Sequence, residues 1–334
     1  MKSVLVVGAT GFLGAAICGR LLEMGVELGA YHHECPLVPQ KSGAKVKYYY
    51  GDINDELALR RAMEGFDTVI NTVVLGRYNR RYRKQLYSVN TTGTRTLLMA
   101  AAAEGVEKVV LVDTISGFRA SRKQVTREAD FSSKVRMPWL FPYLDSKLKA
   151  QETAEQFKHR MTIVFVHCSP IYGAGDTHDH TGCIIRYLAN NKVTMAPPGG
   201  TSVIDVNDAA DACIYACRLD RSQQLVVTGE HRLFVDLYNI ILELLGTEHR
   251  ISRTIPAWLY EPIFCAAIVA DFMGNDTQFS PYLIRNGFSF RYYSSVRTQE
   301  VLGWRPTTAI ETSIRRQVVW MRANGRLAKS IGKG

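Results

Sequence analysis

The sequence predicts an α/β fold, with a doubly wound parallel sheet and a smaller, mainly helical carboxyl-terminal lobe. Two observations predict it. Short apolar runs alternate with helix-spaced segments up to about Gly173, and this pattern then loosens. We therefore expect one domain over residues 1–173 and a lobe over residues 174–330, with residues of about 203–228 returning to the first domain. A chain of 334 residues is long enough to bury a core of this size.

The elements follow in order from the first residues. Residues 3–25, "SVLVVGATGFLGAAICGRLLEMG", predict a buried strand, a tight turn and a helix. Five more apolar runs predict strands, at residues 26–33, 45–53, 67–74, 108–114 and 162–168. Helical segments such as "DELALRRAMEG" and "NTTGTRTLLMAAAAEG" separate them. Strands that alternate with helices indicate βαβ units and a parallel sheet buried on both faces.

Composition narrows the function classes. No window of about 18 apolar residues predicts a membrane span, and the first residues lack a signal-peptide pattern, so we expect a cytoplasmic protein without stable membrane insertion. The seven cysteines form no C-x-x-C pair, which favours reduced, buried thiols. A formal charge of +10 suits an anionic ligand. The basic run at residues 77–85 favours a solvated helix face or a cofactor rim over a nucleic-acid site.

Three glycines give the strongest ligand signal. Gly8, Gly11 and Gly14 form G-x-x-G-x-x-G between the first strand and the first helix, where small residues let a pyrophosphate approach the free amides of the helix start. This predicts a Rossmann-type dinucleotide-binding domain. The binding turn also contains Thr10, Phe12 and Leu13.

Two later strand ends fit the same ligand. Asp52, followed by Ile53, could accept from an adenine amino group, while the neighbouring helix cap is assigned to Asn54. At the end of the second strand, His32 and His33 stand where an NAD-specific site usually has an acidic residue. We therefore expect NADP(H) as the preferred cofactor, with NAD as the open alternative.

Tyr143 and Lys147 lie four residues apart in "FPYLDSKLKAQE". On a helix this spacing puts both side chains on one face. The pair alone is a common pattern, so its meaning depends on the surrounding sequence.

The sequence as a whole resembles the extended short-chain dehydrogenase/reductase family, which includes NAD-dependent epimerase/dehydratase-like proteins. The resemblance rests on motifs in the family order: "GATGFLG", "GDIND", "VNTTGTRTLLMAA", "PYLDSK", "SPIYGAGD" and "VIDVNDAADACIYA". The segment "SSVRTQEVLGWRPTT" is similar to the family's closing segment. The dihydroflavonol-reductase-like and hopanoid-associated branch is the most similar. The resemblance also suggests a homodimer formed through the helices that carry Leu97 and Leu148.

The resemblance implies roles for individual residues. Tyr143 would be the general acid or base, and Lys147 would hold the nicotinamide ribose and lower the pKa of the phenol, which is near 10 when unperturbed. Relatives usually show serines where this chain has "VDTIS", so Thr114 would replace the catalytic serine, with Ser116 as the second candidate because alternation along an extended segment puts both on one side. The cofactor set is completed by Asn71, Thr72, Val73, Asn90, Ser169 and Ile171.

Three hypotheses follow. The first is an oxidoreductase that reduces a ketone or aldehyde of a mainly apolar small molecule, or oxidises the alcohol. The second is a nucleotide-sugar epimerase or dehydratase with tightly bound NAD, which the arginines Arg186, Arg285 and Arg291 keep open. The third is a non-catalytic protein that senses the cofactor. His178 and His180 do not make a metal site, because no further ligands cluster with them in the sequence. The apolar segment at residues 256–274 is expected to cap the substrate cleft.

Overall fold

The computed structural model describes residues 2–33, 46–132, 135, 137–274 and 280–327. The strands are β1 (Ser3–Val7), β2 (Glu27–His32), β3 (Val46–Tyr50), β4 (Thr68–Asn71), β5 (Lys108–Thr114), β6 (Thr162–Cys168), β7 (Ile171–Tyr172), β8 (Met195–Ala196), β9 (Gly200–Asp205), β10 (Gln223–Val227), β11 (Glu230–Leu233), β12 (Arg253–Thr254) and β13 (Phe290–Arg291). The helices are α1 (Phe12–Glu23), α2 (Glu56–Met63), α3 (Arg83–Leu86), α4 (Gly93–Ala103), α5 (Pro142–Glu155), α6 (Gly182–Asn190), α7 (Val206–Ala216), α8 (Phe234–Leu245), α9 (Tyr260–Phe272), α10 (Pro281–Gly287), α11 (Val296–Leu302) and α12 (Ile310–Ala323).

Seven strands form a parallel sheet in the order β10-β6-β5-β4-β1-β2-β3. The chain winds outward in both directions from β1 and β4, so the predicted doubly wound fold is confirmed. All six apolar runs of the sequence analysis contain strands of this sheet. The carboxyl ends of the strands lie at one edge, where ligands of such folds bind.

Alternate residues of each strand enter different cores. Val4 and Val6 of β1 pack with α1 and α7 on one face of the sheet. Leu5 and Val7 pack with α2 and α4 on the other. This period of two in a doubly covered strand explains why β1 reads as an uninterrupted apolar run.

The carboxyl-terminal lobe contains a sheet that the sequence analysis did not predict. β9 pairs with β11 antiparallel and with β13 and β7 in parallel. Helices α6, α8 and α12 pack with β9 in one apolar cluster. The strands are two to six residues long, which explains why no periodic pattern revealed them. The segment that returns to the first domain comprises α7 and β10, whereas β9 belongs to the lobe.

The structure also bears on the predicted dimer helices, the cysteines and membrane-spanning helices. Leu97 and Leu148 are buried within the chain, so a homodimer through their helices, which stays a prediction, would use other side chains of these helices. Of the cysteines in the described part, Cys183 and Cys265 are exposed and the others are buried, while Cys35 lies outside the described residues. No helix in the described ranges is both long and apolar enough to cross a bilayer.

Candidate active site

The glycine turn brings α1 against the end of β1. Gly8 has a φ of +88°, which favours glycine, and Gly11 N donates to Gly8 O at 3.0 Å. A Cβ atom on Gly14 would lie 2.1 Å from Gly8 O, so only glycine permits this approach. Phe12 and Leu13 are buried in the core, which holds the helix axis in place. The first-turn amides of α1 lack intrahelical partners and face the carboxyl edge of the sheet.

The residues of this edge fit a dinucleotide. The glycine turn leaves a cradle that a Cβ atom would fill, next to the positive end of the 12-residue helix α1. Ser169 follows β6 at the same edge, and its buried Oγ has no hydrogen-bond partner among the described residues. Ile171 begins β7 just beyond it and is half-buried. A polar ligand would satisfy the orphaned hydroxyl.

The two histidines at the end of β2 differ from each other in exposure. His32 is buried and packs edge-on against Tyr50. His33 is exposed, and its Nδ1 lies 3.7 Å from Oδ2 of Asp52. Of these two candidate cofactor residues, His33 is thus the one exposed to solvent, and a contact of either imidazole with the cofactor stays a prediction.

Asp52 lies in a turn after β3. Its Oδ1 accepts from the backbone N of Asn54 at 2.7 Å, and its other carboxylate oxygen faces His33. The cap of α2 is Asp55, whose Oδ1 accepts from Ala58 N at 3.0 Å, so the assignment of that cap to Asn54 is wrong. Ile53 is buried against Gly93 and supports the turn.

The loop after β4 closes over the glycine turn. Thr72 donates from its backbone N to Val7 O at 2.9 Å, and from its hydroxyl to Gly8 O at 3.2 Å. Val73 N donates to Asn71 Oδ1 at 3.0 Å. The backbone amides of Thr72 and Val73 therefore form hydrogen bonds within the chain. The two side chains lie next to Gly8 and border the cradle of the glycine turn.

Asn90 joins three parts of the site. It lies in a π-helical turn over Tyr87–Thr92, a distortion often found at functional sites. Its Oδ1 accepts from Leu75 N at 2.9 Å, and its Nδ2 donates to Leu75 O and to Ser146 Oγ, at 3.2 and 3.0 Å. Asn90 thus ties the loop after β4 to α5. Its amide supports the site from within, without facing the cradle.

Tyr143 stands at the first turn of α5, where Pro142 begins the helix. Its ring is buried and packs edge-on against Tyr78 and Tyr282, with centroids 5.4 and 5.6 Å away. Burial, followed by the neighbouring Tyr282, Tyr78 and Asp113, raises the pKa of Tyr143 well above its ordinary value. The expected lowering of this pKa by Lys147 is therefore not seen, because desolvation dominates.

Lys147 lies one turn further on α5 and reaches the end of β5. Its Nζ donates to Val112 O at 3.1 Å and lies 3.4 Å from Oδ1 of Asp113. Burial alone would raise the pKa of Asp113, but Lys147, His167 and hydrogen bonds from Thr114 N and Gln151 outweigh it, so this pKa lies below its usual range. The carboxylate is thus ionised beside the ammonium.

Thr114 ends β5 next to this pair. It is half-buried, and its Oγ1 accepts from Ser116 N at 3.1 Å. The strand stops at Thr114 and a 3₁₀ turn follows over Ile115–Gly117, so the expected alternation does not continue and Ser116 is buried. Of the two hydroxyls, that of Thr114 is the more accessible.

The structure adds residues that the sequence analysis did not assign to the site. Tyr78 and Tyr282 stack on each other with centroids 4.4 Å apart and flank Tyr143. Gln151 Nε2 donates to Asp113 Oδ2 at 2.6 Å, and His167 Nδ1 lies 3.8 Å from the same oxygen. Gln151 follows Lys147 by one helical turn, and His167 is the register partner of Asp113, so spacing and strand alignment could have indicated both.

The loop with His178 and His180 is a further place to look for a ligand site among the described residues. Within them, no group of three or more His, Cys, Asp or Glu side chains is arranged to hold a metal ion. His178 and His180 lie with ring centroids 6.3 Å apart, on a loop whose Asp176 accepts from His180 N, Thr181 N and Gly182 N. That loop is held by these hydrogen bonds.

Comparison with known proteins places this arrangement in a family. The sequence profile of the NAD dependent epimerase/dehydratase family matches residues 4–229. The "Sterol demethylase protein B" of Methylococcus capsulatus is 25% identical over 97% of this chain and 100% of its own. The "Putative dihydroflavonol 4-reductase" of Synechocystis is 24% identical over 96% of this chain and 94% of its own. The structure of MoeE5 in complex with UDP-glucuronic acid and NAD aligns with a TM-score of 0.72 at 21% identity, over 96% of this chain and 99% of that one.

The matched profile covers both the glycine turn and the Tyr143/Lys147 helix. Its full span exceeds half of the chain. The chain therefore belongs to the NAD dependent epimerase/dehydratase family, and it is an NAD-dependent oxidoreductase of the extended short-chain dehydrogenase/reductase type.

Proposed function

We propose that this protein reduces a ketone or aldehyde of a mainly apolar small molecule, or oxidises the corresponding alcohol, with NADP(H) as the preferred cofactor. One observation carries the proposal. Lys147 of α5 reaches the carboxyl end of β5, where Thr114 ends the strand, and Tyr143 lies one turn earlier on α5, on the sheet edge that also carries the glycine turn. The proposal includes the cytoplasmic location predicted from the sequence, which cell fractionation would test.

Each residue has a separate task in this proposal. The cofactor supplies or accepts the hydride when bound. Tyr143 is protonated at neutral pH, since a phenol titrates near 10 even when unperturbed and burial raises this pKa, so it can donate a proton to the developing alkoxide. The Thr114 hydroxyl can donate a second hydrogen bond to the same oxygen. In the direction of alcohol oxidation Tyr143 must release its proton, and we expect Lys147, one turn further on α5, to supply the compensating positive charge.

The surroundings of Tyr143 favour an apolar substrate. The ring belongs to a cluster that includes Phe141, Leu86 and Tyr282, with Phe264 of α9 packed against it. Such a lining binds hydrophobic molecules, with few polar groups to orient them. The name of the Methylococcus relative refers to a sterol, which is a molecule of this class. We therefore propose a polycyclic or long-chain carbonyl compound as the substrate class.

The direct test is a panel of ketones and aldehydes, followed by the loss of reduced-nicotinamide absorbance. We expect turnover with apolar carbonyls, and in Tyr143→Phe a fall of roughly 10²- to 10⁴-fold with cofactor affinity nearly unchanged. Lys147→Ala should impair both turnover and cofactor binding. Full activity in Tyr143→Phe would reject the mechanism. Absence of activity on every carbonyl in the panel, with intact cofactor binding, would support the third hypothesis of a cofactor sensor.

The NADP(H) preference has its own support and test. The described end of β2 carries His33, exposed, and no acidic side chain that would select a free ribose hydroxyl. We expect tighter binding of NADPH than of NADH in a titration of nicotinamide fluorescence, and loss of this difference in His33→Ala. The matched control is His159→Ala, an exposed histidine after α5. Equal affinities in the wild type would reject the preference and leave the family assignment intact.

A specific observation favours the epimerase or dehydratase alternative. Arg291 is 3% exposed, its Nε has no hydrogen-bond partner among the described residues, and burial lowers its pKa to about 10. Arg285, also with a pKa lowered by burial, donates to Phe118 O at 3.3 Å. Neither guanidinium is paired with a carboxylate within the described ranges, which would suit an anionic substrate group such as a diphosphate. Tightly bound NAD⁺ in the purified protein, without net cofactor turnover, would favour this alternative.

A further inference from the structure

The outer face of α9 is apolar and exposed. Trp258, just before the helix, and Met273, just after it, are 75% and 74% exposed, and Phe272 is 56% exposed. The exposed positions between them recur every three to four residues, so they form one stripe. The stripe consists of Pro262, Cys265, Ala266, Val269, Phe272 and Met273. Such a face in contact with water marks an interaction site.

The inner face of α9 already has a partner. Phe264 lies with its ring centroid 6.3 Å from that of Phe141 and packs against the cluster that contains Tyr143. Asp271 accepts from Arg80 N at 2.8 Å, which joins the end of α9 to residues 80–82. The helix therefore covers the active-site cluster with one side, and its apolar outer side serves no purpose in the core.

Positive charge surrounds the stripe. The guanidinium of Arg80 lies 4.1 Å from the ring centroid of Phe272, and that of Arg122 lies 5.2 Å from the ring of Tyr260 at the other end of the helix. The segment 77–84, hereafter the basic segment, also exposes Arg77, Arg81, Arg83 and Lys84. Among the described residues of α9, the acidic groups are Glu261, which lies 3.4 Å from Arg122, and the buried Asp271. The face is thus apolar at its centre and cationic at its edge.

We propose that the outer face of α9 and the basic segment dock on the surface of a bilayer that contains anionic phospholipids. The helix lies in the membrane plane, with Trp258, Phe272 and Met273 in the headgroup and acyl boundary and the arginines on the lipid phosphates. This is surface attachment, since no described helix can span a bilayer. The cover of the active-site cluster then faces the lipid phase, where apolar substrates concentrate.

Charge favours a membrane over a second copy of this chain. Two copies that met through this face would bring two basic segments together, and each copy carries a net charge of +10. Like charges juxtaposed at an interface oppose association. An anionic surface has the complementary charge, and a bilayer also accepts the apolar stripe. The inference does not depend on catalysis, so it stands or falls separately from the proposed function.

The test is co-sedimentation of the full chain with vesicles. We would compare vesicles of phosphatidylcholine alone with vesicles that contain about one third phosphatidylglycerol, at low and at high salt. We expect binding to the anionic vesicles at low salt, weak binding to the neutral ones, and a decrease at high salt because the charges are screened. Binding that is equal for both vesicle types, or absent from both, would overturn the proposal.

Two variants locate the binding surface. Arg77→Gln/Arg81→Gln/Arg83→Gln should weaken binding to the anionic vesicles on the order of 100-fold, from a contribution of about fivefold per cation. Its control, Arg250→Gln/Arg305→Gln/Arg315→Gln, removes three exposed cations elsewhere. Phe272→Ser/Met273→Ser should weaken binding roughly tenfold or more. Its control, Leu57→Ser/Val319→Ser, removes two apolar side chains that are 66% and 60% exposed on other surfaces.

The controls decide the interpretation. Vesicle binding that is weakened by the α9 and basic-segment variants and retained by both controls supports the proposal. Equal losses in a variant and its control would show unspecific attraction and overturn it. Circular dichroism of each variant reports its fold, and Tyr143→Phe, which leaves the surface unchanged, should bind vesicles as the wild type does. A concentration-dependent dimer that disappears in Phe272→Ser/Met273→Ser would assign the face to a second copy and also overturn the proposal.

Discussion

At the residue scale, the active site depends on which hydroxyl and which charges meet at the end of β5. Thr114 is half-buried and close to the Asp113–Lys147 pair, whereas Ser116 is buried by the 3₁₀ turn that begins after Thr114. Thr114 Oγ1 accepts from Ser116 N, which leaves its own proton free to be donated. The arrangement therefore favours Thr114 in the place of the family's serine.

Thr114→Val tests this role. Because valine has nearly the same shape and no hydroxyl, we expect turnover to fall on the order of 10- to 1000-fold, as when one donor to a developing oxyanion is removed. Thr114→Ser should be nearly silent. The measurement is kcat with a carbonyl substrate identified by the panel. Full activity in Thr114→Val together with loss in Ser116→Ala would move the role to Ser116.

Asp113→Asn tests the buried charge pair. The substitution leaves the Lys147 ammonium without its carboxylate, so the free energy of unfolding should fall by about 3 kcal/mol at pH 7. The pKa of Asp113 is lowered in the folded protein, so its contribution is present above the unfolded pKa of about 3.9 and is lost only as the pH falls through the lower folded pKa. Urea unfolding should therefore show the same gap between variant and wild type at pH 7 and pH 5. A gap that closes between these values would contradict the assignment.

Asp113→Asn can also distinguish a structural role of Asp113 from a role in positioning Lys147. If Asp113 orients Lys147 for the reaction, Asp113→Asn should weaken cofactor binding and change the pH dependence of kcat, beyond the loss of stability. Asp271→Asn, which removes a buried carboxylate at the end of α9, is the control. Destabilisation of Asp113→Asn without a change in cofactor affinity or pH profile would reduce its role to packing.

At the element scale, helix α1 and its glycine turn determine whether the cofactor can bind. Gly14 faces Gly8 O, whereas Gly19 lies on the same helix with no atom within 4 Å of a Cβ atom placed there. The two glycines thus share an element and differ only in their surroundings.

Gly14→Ala should disrupt cofactor binding. Its Cβ atom would lie 2.1 Å from a carbonyl oxygen, so the turn must move and the cradle must open. We expect the Kd for the cofactor to rise by roughly tenfold or more, equivalent to about 1.4 kcal/mol. Gly19→Ala should leave the Kd unchanged and stabilise the helix by about 0.5–1 kcal/mol. Calorimetric titration and thermal unfolding measure both effects, and equal Kd values in the two variants would contradict the role of Gly14.

At the scale of the whole molecule, the chain passes from the sheet domain into the lobe and then back to the sheet domain. α7 and β10 return to the central sheet after β9 has crossed into the lobe. Ser313 Oγ of α12 donates to Asp205 Oδ2 at the end of β9, at 2.6 Å, and the Asp208 carboxylate at the start of α7 accepts from Thr307 and Thr308. The Asp208 contacts join α7 of the sheet domain to the segment before α12, whereas the Ser313–Asp205 contact lies within the lobe.

The predicted homodimer remains a proposal at this scale. With Leu97 and Leu148 buried, the exposed side of α4 offers Met99, which is 39% exposed. If the dimer forms through α4 and α5, light scattering should give twice the mass of 37.4 kDa, and Met99→Glu should favour the monomer. A monomeric mass for the wild type at all concentrations would contradict the proposal.

The parallel sheet, the glycine turn and the helix that carries Tyr143 and Lys147 could be predicted from the amino-acid sequence. These features depend on local signals: apolar runs of strand length, glycines that permit close approach, and an i, i+4 spacing. The short strands that pair with β9 escaped prediction because strands of two to four residues have no measurable period, and the cap of α2 fell one residue away from its predicted place.

The contacts between the site residues depend on the tertiary structure and could not be predicted. His32 turned inward while His33 stayed exposed, and Lys147 paired with Asp113, because burial and non-local contacts determine where a side chain points. The pKa of Tyr143 rose because Tyr78 and Tyr282, 65 and 139 residues away along the chain, exclude water from its ring. Desolvation of this kind depends on atoms that are distant in sequence, and no local pattern contains it.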